Sequence, residues 1–290
     1  MVAGLRIIVP LDRMEEAIAL TYMYGAQGVQ WVEEADGGPE PGTVWIHVWH
    51  ESDSLQERME AYLRRLGTES NVHRLDPIAS ASSEDTPRYF PLTERYHVRC
   101  ILGDEEDFGA MESSEIKSQP ITLKWGSGFG LGDHATTRLC AQALEWALSQ
   151  TRQPQVADIG TGTGVLGILA ALNGAKVLAT DIEDIARQAA LENAERNQVS
   201  DRFSVVAAVP DNTHHHIAVA NLYLGPVMNL ATELSHWMHP KGWGILSGFG
   251  EKESQMVCST YAAQGWQYVR RYTEDGWVAL VMQWADPSPV

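Results

Sequence analysis

An apolar run at residues 4–9 (GLRIIV) predicts a strand, and apolar positions at helical spacing over residues 12–24 predict a helix. Two further strand patterns, GVQWVEE at 28–34 and TVWIHVW at 43–49, flank the turn-rich ADGGPEPG. Ser52 or Asp53 then caps a helix that runs to Leu66, and NVHRLD at 71–76 reads as a closing strand. The order β-α-β-β-α-β over residues 1–76 predicts a small α+β module of the ferredoxin-like kind.

Residues 77–118 break this regularity. PIASASSEDTP (77–87) has the composition of a linker, and GDEEDFGAMESSE (103–115) reads as a solvated acidic loop. RYHVRCIL (95–102) and QPITLKW (119–125) have strand character, and the pattern leaves open whether they form a hairpin or extend a larger sheet. Four glycines in GSGFGLG (126–132) then mark backbone that must bend or approach something closely. Thr136 and Thr137 open the next helix, which their hydroxyls are suited to cap. Its apolar face includes Leu139, Ala143, Leu144 and Ala147.

From residue 156 strands and helices alternate. A buried strand (156–159) leads through a glycine turn and an apolar helix to a second strand ending at Asp181. A helix at 183–197, a strand at 202–208 and a strand at 216–222 follow, then a helix at 226–237, a strand at 242–249 and a helix at 252–264. YVRRYTEDGWVALVMQW (268–284) closes the chain as a hairpin turning at Asp275-Gly276. Such alternation predicts a mainly parallel, Rossmann-like α/β sheet over residues 119–290, and the closing hairpin supplies one antiparallel strand.

The turn after the first of these strands carries Gly160, Gly162 and Gly164 in the sequence DIGTGTG. Glycine permits a tight turn and close approach of backbone to a ligand, and the following helix begins with unpaired N–H groups. Asp181 stands where an acid accepts hydrogen bonds from both hydroxyls of a ribose. The combination predicts a nucleoside site. A dinucleotide fingerprint would read G-x-G-x-x-G, whereas here the glycines alternate and Asp158 precedes them by two. A carboxylate at that place suits an ammonium partner better than a pyrophosphate, which favours S-adenosylmethionine (SAM) over NAD. A glycine turn that only packs helix on strand is the plain alternative.

More specific are two other runs. Phe129-Gly130-Leu131-Gly132-Asp133-His134-Ala135-Thr136-Thr137 is similar to the pattern FGTGxHxTT, and Ala220-Asn221-Leu222-Tyr223-Leu224-Gly225-Pro226 is similar to ANILAGP. With Asn193-Ala194-Glu195-Arg196-Asn197 and the glycine turn between them, the chain resembles the ribosomal protein L11 methyltransferases (PrmA) over residues 119–290. Leu131 stands where that family has threonine, Asp133 is unusual for it, and Tyr223 and Leu224 replace smaller residues. The stretch before the catalytic region also lacks the Trp-rich run expected of the family.

The resemblance implies a class I methyltransferase with seven strands, the last reversed, and SAM as cofactor. It implies methyl transfer to lysine and/or N-terminal amines of ribosomal protein L11, captured by the module at 1–76 across a linker at 77–118. By the same resemblance Thr137, Asp158, Gly160, Gly162, Gly164 and Asp181 hold the cofactor, and Asn221 both touches it and serves as the catalytic residue. The Asn221 side-chain carbonyl can accept a hydrogen bond from an incoming amine and aim its lone pair at the methyl group. Bulky Tyr223 and Leu224 would restrict rotation of a methylated product. Other readings are a related enzyme for a different protein or small amine, and a SAM-binding scaffold without catalysis.

His214-His215-His216 invites a metal reading, yet neighbours on a strand point to opposite faces and cannot jointly meet one ion. No metal is therefore expected. His134 is expected to order the glycine-rich loop. Composition narrows the rest. The 290 residues are 44% hydrophobic and include 10 Trp, enough for a core. A net charge of −17 argues against a nucleic-acid partner and fits a basic protein substrate. Three scattered cysteines, no membrane-length apolar run and no signal-peptide layout suggest a cytoplasmic protein, expected as a monomer.

Overall fold

The computed structural model describes residues 3–10, 17, 26–32, 43–50, 72–75, 88–101, 117–124, 132 and 134–285. The chain divides into two units, Met1–Thr86 and Pro87–Val290. The first contains β1 (Ala3–Pro10), β2 (Ala26–Val32), β3 (Thr43–His50) and β4 (Val72–Leu75). They form one antiparallel sheet in the order β2-β3-β1-β4, which is the ferredoxin-like order. Ile7 and Val9 on β1 and Ile46 and Val48 on β3 are fully buried. Residues two apart share a sheet face, and Ile7 lies directly opposite Ile46, so these four line one face. The two helices expected at 12–24 and 53–66 lie outside the described residues, except that Ala17 is helical and buried.

The second unit opens with a small sheet of β5 (Arg88–Pro91), β6 (Tyr96–Ile101) and β7 (Gln119–Lys124). Residues 88–101, inside the 77–118 stretch expected as a linker, thus form two strands, the second where RYHVRCIL (95–102) has strand character. β5 and β6 are antiparallel, but β6 and β7 run parallel in register from Tyr96 opposite Gln119 to Ile101 opposite Lys124. Parallel neighbours cannot be joined by a tight turn, so the hairpin alternative falls. Nor do they extend the main sheet, because this one is separate. The acidic loop at 103–115 and the glycine-rich residues 126–131 lie outside the described residues.

The remainder alternates as α1 (Ala135–Ser149), β8 (Gln155–Ile159), α2 (Val165–Leu172), β9 (Lys176–Thr180), α3 (Asp184–Arg196) and β10 (Phe203–Val206). Then come β11 (His215–Asn221), α4 (Leu224–Leu234), β12 (Met238–Gly250), α5 (Ser254–Ala263), β13 (Trp266–Glu274) and β14 (Trp277–Trp284). These strands form a seven-stranded sheet in the order β10-β9-β8-β11-β12-β14-β13. Only β14 runs against its neighbours. The expected turn at Asp275-Gly276 is present, with φ of 50° and 80° as a tight hairpin turn requires.

Consecutive residues on the central strands enter opposite cores. Val156, Ile217, Val219, Ile245 and Val281 pack with α1, α2 and α3, while Ala157, Ala218, Ala220, Leu246 and Met282 pack with α4 and α5. Both faces are covered, which is why these strands read as continuous apolar runs and not as alternating ones. Among the described residues no helix is long and apolar enough to cross a membrane.

Candidate functional site

The chain leaves β8 through α2 toward β9, on one side, and later returns as β11 on the other. Ligands of open α/β sheets sit at such a switch point, outside the carboxyl ends of the strands. Val219 pairs with Asp158 and Ala220 with Ile159, so Asn221 emerges level with Gly160. On the other flank Thr180 pairs with Ile159, which brings Asp181 to the same level.

The turn itself is laced to the end of β9. Gly160 and Thr161 donate their N–H groups to the Thr180 carbonyl at 2.8 and 2.9 Å, and Gly162 N–H donates to Asp181 Oδ2 at 3.0 Å. The second Asp181 oxygen accepts from Glu183 N–H at 3.0 Å. Each carboxylate oxygen retains acceptor capacity for a further donor. Gly160, Gly162 and Gly164 have φ of 71°, 53° and 87°, a left-handed backbone that a Cβ penalises. A Cβ on Gly160 would also stand 2.3 Å from Leu222 Cδ2, the end of a flexible side chain that would have to turn aside, so the left-handed backbone is what favours glycine here.

Asp158 takes a different place from the outward one suggested by charge alone. Its side chain is 2% exposed, and its Oδ2 accepts from the Thr161 hydroxyl at 2.6 Å and from Gly167 N–H at 3.0 Å. Burial raises its pKa to about 6, the bonds from Thr161 and Gly167 hold it down in part, and the Asp181 charge adds to the rise. Asp158 therefore braces the turn and the first turn of α2 from beneath.

Thr137 and Asn221 approach each other from α1 and β11, with Asn221 Nδ2 3.4 Å from Thr137 Oγ1. At that length the contact is a weak one. Asn221 is half-buried, and among the described residues its Oδ1 makes no hydrogen bond. Capping of α1 falls to a different residue than expected. His134 is the N-cap, and its Nδ1 accepts from Thr136 N–H at 3.3 Å and lies 2.8 Å from the Thr136 hydroxyl. Its ring packs edge-on against Trp277 at 4.8 Å, and Arg138 pairs with Glu274, so the start of α1 is fixed to the closing hairpin. Thr136 and Thr137, both buried, are free of the capping task.

Two features escaped sequence reasoning. Gly248 has φ of 95°, and a Cβ there would lie 2.0 Å from the Leu222 carbonyl oxygen. Only glycine lets the segment after Asn221 lie across β12. Beside Asp181, Ile182 is 85% exposed and Ile185 is also exposed, an apolar surface next to a carboxylate. Far from this edge, at the start of β11, the rings of His214 and His216 both face His239, at 5.7 and 4.4 Å, and His215 turns inward. Among the described residues no cluster of three or more His, Cys, Asp or Glu side chains is placed to hold a metal ion.

The family model described as ribosomal protein L11 methyltransferase (PrmA) matches residues 105–285. The chain belongs to the PrmA family. A ribosomal protein L11 methyltransferase of Chloroflexus aurantiacus is 30% identical, with 93% of this chain and 94% of that protein covered. Another from Methylococcus capsulatus is 40% identical over 55% of each. Against three of its curated PrmA relatives the chain spans only 55 to 65% of their length. The crystal structure of a ribosomal protein L11 methylase from Lactobacillus delbrueckii subsp. bulgaricus is 26% identical with a TM-score of 0.57, covering 67% of this chain and 97% of that one.

Proposed function

We propose that this PrmA-family chain is a SAM-dependent protein N-methyltransferase acting on lysine and/or N-terminal amines of ribosomal protein L11. One observation carries the reading: the glycine turn, Asp181, Thr137 and Asn221 meet at a single carboxyl edge of the sheet. The residues suit the cofactor. Gly160 has the left-handed backbone that favours glycine, Asp181 retains acceptor capacity, and Ile182 and Ile185 offer apolar surface beside it. When bound, SAM supplies a methyl group on a sulfonium, attacked by an amine nitrogen as the C–S electron pair leaves on sulfur.

The protein's part is alignment. Thr137, Gly160, Gly162, Gly164 and Asp181 line the cofactor site, and Asp158 holds the turn. With Nδ2 directed at Thr137, Asn221 presents Oδ1 as an acceptor for the amine N–H and so orients the lone pair. A lysine amine has a pKa of about 10.4 and attacks only when neutral, so a partly desolvated approach past Tyr223 promotes reaction. No strong base is needed once water takes the proton. Residues 1–76 serve substrate recognition, and the net charge of −17 favours a basic partner.

Incubation with methyl-labelled SAM and unmethylated L11 tests this, with Asn221→Ala alongside. Wild type is expected to label L11, and the variant to retain SAM binding in calorimetry while transfer falls about 10²-fold. A wild-type chain that binds SAM without labelling L11 would refute the substrate assignment.

A further inference from the structure

Asn193 in the last turns of α3 and Asn197, the residue that caps its carboxyl end, lie one turn apart, and both direct their amides at backbone of other elements. Asn197 accepts from Thr122 N–H at 2.8 Å and donates to Thr122 O at 2.7 Å, as a neighbouring strand would. Asn193 divides its amide. Its Oδ1 accepts from Lys124 N–H at 3.0 Å, and its Nδ2 donates to the Thr163 carbonyl at 2.9 Å. Both Asn193 and Thr163 are fully buried. Lys124 ends β7, immediately ahead of the glycine-rich residues 126–132. Thr163 sits between Gly162 and Gly164, both in the left-handed region, and glycine neighbours restrain a peptide less than residues with a Cβ do.

We propose that Asn193 is a positioning residue of the cofactor turn: its carboxamide fixes the Thr163 peptide and ties it to the strand that leads into the glycine-rich segment. A flip of that peptide would reverse the Thr163 carbonyl and remove the Gly164 N–H from Thr161 O, to which it donates at 2.8 Å. The turn would then lose the shape in which it meets a ligand. Asn197, at the end of the same helix, shares the amide and the docking to β7, but among the described residues makes no bond to the turn. It separates positioning from mere packing. The inference rests on the methyltransferase reading above.

The test is a matched pair, Asn193→Asp and Asn197→Asp. Each keeps the acceptor and replaces the donor, one against Thr163 O and the other against Thr122 O and Asn193 O. SAM affinity by calorimetry and Tm are measured for both. N193D is expected to weaken SAM binding about tenfold, the equivalent of a lost hydrogen bond. N197D is expected to lower Tm with SAM affinity unchanged. Unchanged affinity in N193D, or an equal loss in both variants, overturns the proposal. Should N193D fail to fold, hydrogen exchange of the two carboxamides in the wild type decides. SAM is expected to slow exchange at Asn193 and leave Asn197 unaffected, and equal responses overturn the idea. A wild-type chain that binds no SAM overturns the methyltransferase reading and this proposal with it.

Discussion

Gly248→Ala is the sharpest perturbation the site offers, because it touches no ligand-facing group. Its φ of 95° already disfavours any side chain, and this conformational part costs about 1–2 kcal/mol. The Cβ would further lie 2.0 Å from Leu222 O and 2.5 Å from Leu222 C, both backbone, so no side chain can swing aside. The segment after Asn221 must shift by about 1 Å to restore contact distance, stretching the Leu222 N–H bond to Ser247 O, now 3.0 Å. A displacement of that size at a reacting centre costs about 10²-fold in rate. Gly174 supplies the control, since its φ is 86° and a Cβ there meets nothing within 4 Å. Gly174→Ala should therefore show the conformational part alone, a drop of roughly 3–6 °C in Tm with normal activity. Gly248→Ala should show a larger drop and about a 10²-fold lower kcat/KM for L11, with SAM affinity largely retained because the turn is held by Thr180 and Asp181. If both variants lose the same stability and neither loses activity, the contact with Leu222 does not set the position of Asn221.

Three further outcomes follow from buried groups and from the reacting edge. His215 is pushed down to about 4 by burial and by the charges of His239, His214 and His216, so between pH 6.5 and 4 the unfolded chain binds a proton that the folded one refuses. Stability from this group is lost as pH falls through that window, by at most about 3 kcal/mol, and denaturant titration of His215→Gln against pH should lack the slope. Asp158 acts with the opposite sign. Raised to about 6 mainly by burial, it keeps a proton in the fold that the unfolded chain has released above pH 3.8, so its contribution is present in acid and lost as pH rises through 6. Asp158→Asn should gain on wild type by up to about 3 kcal/mol between pH 4 and 6.5 in the same titration, and a constant offset would contradict the burial argument. Tyr223→Ala, beside Asn221, should raise the number of methyl groups per modified amine in mass spectra of L11, and an unchanged product distribution would show that Tyr223 does not limit rotation.

The two titrations mask one another in the native chain, which illustrates what a linear sequence conceals. Neither shift follows from spacing. Asp158 reads as a carboxylate beside a glycine turn, and only the fold shows that its partners are Thr161 and Gly167 and that Asp181 raises its pKa further. What was legible depended on local rules. Left-handed glycines marked the turn, Asp275-Gly276 marked the hairpin, and pairs such as Ile217 and Ala218 marked strands covered on both faces.

What was not legible depended on backbone arriving from elsewhere. The need for Gly248 comes from the Leu222 carbonyl, and the parallel pairing of β6 and β7 from a connection, 102–118, whose residues carry no strand pattern. The N-cap was missed because histidine is outside the usual capping set, although its Nδ1 is an adequate acceptor. In the sequence Asn193 and Asn197 stand out only as part of a run similar to the family's, and nothing in their four-residue spacing says that the facing surface is a strand edge. Side-chain amides copy the donor and acceptor of a peptide, so asparagines on a helix can complete a sheet edge that no strand reaches. Spacing cannot show which backbone such a pair meets; here both amides meet β7, and Asn193 also reaches the glycine turn at Thr163.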